Sequence, residues 1–68
     1  MKNWKCVYVA NQVYKAEAVK DFLMEENIQS VVVNKKDSAY TVFGEVELYV
    51  QPKDEHLAIE LIKGFKIE

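Results

Sequence analysis

Sixty-eight residues with a formal net charge of −2 fit one domain spanning 1–68. All nine basic residues are lysine, so the bidentate grip that arginine gives on phosphate and guanine edges is missing, and nucleic acid is not an expected partner. The single cysteine, Cys6, excludes an internal disulfide, and no apolar run approaches the roughly 18 residues of a membrane span. The segment MKNWK also lacks the apolar stretch of a secretory signal. A soluble cytoplasmic protein without a membrane partner is expected.

Residues Trp4 to Val9 are β-rich and alternate, with Trp4, Cys6 and Tyr8 on one side and Lys5, Val7 and Val9 on the other. They predict a strand. Ala10-Asn11-Gln12 breaks it, and Asn11 is placed to cap the next helix by accepting from its free N–H groups. From about Gln12 to Glu26 the spacing turns helical. Ala18, Val19, Phe22 and Leu23 form a stripe, extended upstream by Tyr14 and Ala16. Asn27 tolerates a left-handed turn, and Ile28 can fold back onto the last helical turn.

Ser30 to Asn34 is a short β-branched run and predicts a second strand. Lys35 to Gly44 is long for a hairpin loop. Either Ala39 to Phe43 extends the following strand, with Gly44 as a bulge, or Lys36 to Tyr40 makes a helical turn. Glu45 to Val50 alternates cleanly, with Val46, Leu48 and Val50 facing one way and Glu45, Glu47 and Tyr49 the other. Pro52 suits a first helical position, where its missing N–H costs nothing, and Asp54 and Glu55 complement the helix dipole. Leu57, Ala58, Leu61, Ile62 and Phe65 form the second stripe, and Gly64 stops it. Phe65 to Glu68 could add a very short edge strand, or simply fray.

The order is β-α-β-β-α, in which a strand-turn-helix unit occurs twice. Such a chain is expected to form an α+β fold: a two-layer sandwich with both helices on one sheet face. A right-handed crossover puts the first and third strands side by side. This is the ferredoxin-like arrangement, with a short or missing last strand. A domain of this size buries only about 60% of its unfolded surface. Its stability is expected to be modest, on the order of 5 kcal/mol.

Several motifs together resemble a known family. They are W-x-C-V-Y from Trp4, A-E-A from Ala16, N-K-K-D-S-x-Y from Asn34, F-G-E-V-E-L-Y-V from Phe43 and D-x-x-x-A from Asp54. The chain resembles the small bacterial signal-transducing proteins of unknown function that are described as PII-like in fold. The resemblance spans nearly the whole chain and is most specific over Asn34 to Val50. It implies a compact domain with a regulatory or binding role. PII proteins dock partners through a long loop between the second and third strands. Here Lys35 to Gly44 holds that position and is far shorter. No PII nucleotide motif is matched, so ATP binding is not implied, and no cofactor is expected.

Two surfaces are candidates for function. On the sheet face away from the helices, alternation gathers Trp4, Tyr8 and Tyr49. Contiguous exposed apolar surface marks interaction sites. The expected cover is a homodimer interface, or the C-terminal tail through Phe65 and Ile67, with a ligand or partner platform as the alternative. The second candidate is the loop, where Lys35, Lys36, Asp37, Ser38 and Tyr40 combine cations, a hydroxyl and turn-forming groups that could hold an anion or a partner.

Catalysis is not expected. His56 is the sole histidine and is expected on a helix surface, while Cys6 is expected to pack on a strand. A metal carrier of this fold would need a second cysteine in a Cys-x-x-Cys loop. The expectation is a non-enzymatic regulatory domain acting through a protein partner or small effector, or else a self-associating structural module.

Overall fold

The computed structural model describes residues 3–34 and 46–65. Chain order is β1 (Lys5–Ala10), α1 (Val13–Glu25), β2 (Ser30–Asn34), β3 (Val46–Val50), a 3-10 turn at Pro52–Asp54, and α2 (Glu55–Lys63). The fold is α+β. The three strands form one antiparallel sheet in the order β1-β3-β2, so the first and third strands lie side by side as the crossover argument requires.

β3 is the central strand and sets the layering. Val46, Leu48 and Val50 are each 0% exposed, while Glu47 and Tyr49 between them are half-buried on the other face. The buried residues of β3 meet both helices. Leu48 and Val50 share one cluster with Val19 and Leu23 of α1, Ile28, and Ala58 of α2. Where α1 meets the end of α2, the Phe22 and Phe65 rings stack with centroids 4.5 Å apart. Tyr14 departs from the expected stripe and is exposed; the buried positions of α1 are Ala16, Val19 and Leu23.

The two helices end by different chemistry. At α1, Asn27 has φ 65°, and its N–H donates to the Met24 carbonyl at 3.0 Å. The Ile28 N–H then reaches back to the Leu23 carbonyl at 2.9 Å, and its side chain is buried beside Leu23. That is a complete Schellman motif with its apolar contact. Gly64 behaves differently from Asn27. Its φ is −93°, and α2 closes with tightened turns, Gly64 N–H to Leu61 carbonyl and Phe65 N–H to Ile62 carbonyl. The N-cap of α1 is Gln12 rather than Asn11, and it makes no side-chain capping bond.

β1 holds the main departure from the sequence expectation. Lys5 pairs with Val50 and Cys6 with Tyr49, but the next pair is Tyr8 with Leu48, followed by Val9 with Glu47 and Ala10 with Val46. Val7 is an extra residue without a partner, which makes a β-bulge. Both Val7 and Tyr8 therefore face the helices and pack on the core cluster. Val9 falls on the opposite face and is 51% exposed. Strict alternation had placed Tyr8 outward and Val9 inward; one inserted residue exchanges them.

Candidate functional site

The cross-strand pairs assemble the sheet face that carries no helix among the described residues. One row is Cys6–Tyr49–Val31 and the next is Val9–Glu47–Val33. Cys6 and Val9 are exposed, and Val31, Val33, Glu47 and Tyr49 are half-buried. The result is a shallow surface of three valines, a thiol and a phenol ring around one carboxylate.

Tyr49 and Glu47 lie two residues apart on this face, and the Tyr49 hydroxyl donates to Glu47 Oε1 at 2.7 Å. That bond, then desolvation and the charges of Glu47 and Cys6, pushes the Tyr49 pKa from 10.0 up to about 12. The fold thus favours the neutral phenol. Its stabilising contribution is fully present below the unfolded value near 10 and is lost as pH rises through about 12. In an alkaline absorbance titration, one of the four tyrosines is expected to ionise near pH 12. Glu47→Gln is expected to return it toward 10, because the neutral amide accepts less strongly and adds no charge. A Tyr49 titration unchanged by Glu47→Gln would disprove this origin for the shift.

Of the interface residues expected from sequence, Tyr49 lies on this face. Tyr8 does not: the bulge turns it toward the helices, where it packs on the core cluster. Trp4 precedes β1 and is half-buried. The loop residues Lys35, Lys36, Asp37, Ser38 and Tyr40 lie outside the described residues. Sequence reasoning missed Val9, Val31 and Val33. The three consecutive valines of β2 carried a signal for two of them. An unbroken apolar run belongs to a strand covered on both faces, whereas a half-solvated strand alternates.

Cys6 lies on the face opposite the helix that carries His56, so the sheet separates these two reactive side chains. Among the described residues no three His, Cys, Asp or Glu side chains gather in a way that could hold a metal ion. No helix among them is long and apolar enough to cross a membrane. The Ser30 hydroxyl oxygen, at the start of β2, is buried and has no hydrogen-bond partner among the described residues. Comparison with protein-family models, curated proteins and solved structures finds no match.

Proposed function

We propose that this chain is a non-enzymatic regulatory binding domain of the cytoplasm, acting through protein contacts or a small effector, with the open sheet face as its contact surface. The observation that carries this reading is β2. Val31 and Val33 flank the core residue Val32 yet point to the face that no described element covers. A strand that is apolar on both faces calls for a second covering layer. The resemblance to the PII-like signal-transducing family points to the same regulatory role. The sheet order β1-β3-β2 beneath two helices supports a ferredoxin-like sandwich without a full last strand. An exposed free thiol at Cys6 suits a reducing compartment.

The alternative reading is self-association without a ligand. It is favoured by Val9, which stands half exposed in the same face as the valines of β2. In a two-fold dimer the same patch of each copy meets its counterpart. NMR titration with candidate effectors and partners, run beside a dilution series of the protein alone, tests both readings. Either reading predicts shifts at Cys6, Val9, Val31, Val33 and Tyr49; the dilution series produces them only if the partner is a second copy. Shifts confined to α1 and α2 would rule out the sheet face as the contact surface.

A further inference from the structure

The helix side of the molecule carries a second feature, independent of the sheet face. A surface cavity of about 220 Å3 opens there, lined by Tyr8, Lys15, Val19, Ile62 and Phe65. Val19 is fully buried at its base, and Phe65 is held in place by stacking on Phe22. The bulge in β1 is what brings Tyr8 to this side. Neither the Tyr8 hydroxyl nor the Lys15 ammonium has a hydrogen-bond or ion-pair partner among the described residues.

Lys15 also sits badly for the helix that carries it. It lies in the first turn of α1, which has no acidic residue and no side-chain cap. A cation there opposes the helix dipole. Local choices that work against the fold are expected where a residue serves a site.

We propose that this cavity binds a small monocarboxylate with an apolar body. The carboxylate is held by Lys15 and the Tyr8 hydroxyl, and the body rests on Val19, Ile62 and Phe65. One cation matches one negative charge. Phosphate groups fit poorly, because the chain has no arginine and no glycine-rich loop, and Lys15 is the one cation in the lining. Size sets the class further. The cavity is small, about 220 Å3, and open to solvent. That suits a short branched or aromatic acid.

The test is NMR titration of the full chain with isovalerate and benzoate, using their neutral amides and inorganic phosphate as comparisons. Both acids are expected to shift signals of Tyr8, Lys15, Ile62 and Phe65. The amides and phosphate are expected to bind about tenfold more weakly or worse. Lys15→Gln is expected to weaken the acids about tenfold while keeping the parent spectrum. Lys15→Glu separates binding from folding: it should abolish binding and raise the melting temperature, because it corrects the charge at the helix start. Three results would overturn the proposal. They are no shift at about 10 mM acid, ten times a 1 mM Kd; equal affinity for acid and amide; or unchanged affinity in Lys15→Gln.

Discussion

Leu48→Ala is expected to remove most of the stability of this domain. Leu48 is fully buried at the centre of β3, flanked across the sheet by Tyr8 and Val32, and it shares a cluster with Val19, Leu23 and Ala58 from the two helices. Truncating a leucine in such a place loses its transfer free energy and leaves a cavity, together about 2–5 kcal/mol. A domain of this size has on the order of 5 kcal/mol in total. Urea unfolding followed by far-UV circular dichroism gives the measure. With a slope of about 1 kcal/mol/M, the midpoint should fall by about 2 M or more, or the variant should be largely unfolded in buffer. A fall below about 0.5 M would mean that Leu48 is not the centre of the core.

The second large effect reads the bulge directly. Tyr8→Lys is expected to destabilise by about 3 kcal/mol, in the range of other aromatic truncations in cores. It removes a ring that packs on the core cluster and sets a second ammonium beside Lys15, which lines the same cavity. The neighbouring change, Val9→Lys, is expected to stay within about 0.5 kcal/mol of the parent. Position 9 faces outward, half exposed, and pairs across the sheet with Glu47. Cross-strand pairs of opposite charge are mildly favourable. Strict alternation along β1 predicts the reverse ranking, with lysine tolerated at position 8 and damaging at position 9. Thermal melts of the two variants therefore test the register.

These variants also mark where the sequence was legible. β3 was readable because its alternation is a local pattern and Pro52 ends it. The close of α1 was readable because Asn27 is one of the few residues that adopt positive φ at low cost, and an apolar residue follows it. The bulge was not readable. Nothing in Lys5–Ala10 resembles a glycine kink. The extra residue at Val7 is fixed by pairing with β3, some forty positions away in the chain. Its effect on the site is large, since it exchanges Tyr8 for Val9 on the contact face and supplies Tyr8 to the helix-side cavity. The outward valines of β2 were legible in principle, but only by asking why an edge strand is apolar on both sides.

The unpaired Val7 has a consequence for how copies of this chain can meet in solution. Among the described residues β1 has one neighbour, so its far side offers a row of backbone donors and acceptors that could template strand growth from chain to chain. A bulge bends and over-twists the strand that contains it, which spoils the straight, regular spacing that a foreign strand would need. Lys5 at the start of the strand adds a charge that must stay hydrated. The β1 edge is thereby guarded against open-ended growth while the open sheet face stays available. With growth through β1 blocked, copies of this chain that associate, by the open face or by β2, are expected to stop at two rather than add strands without limit.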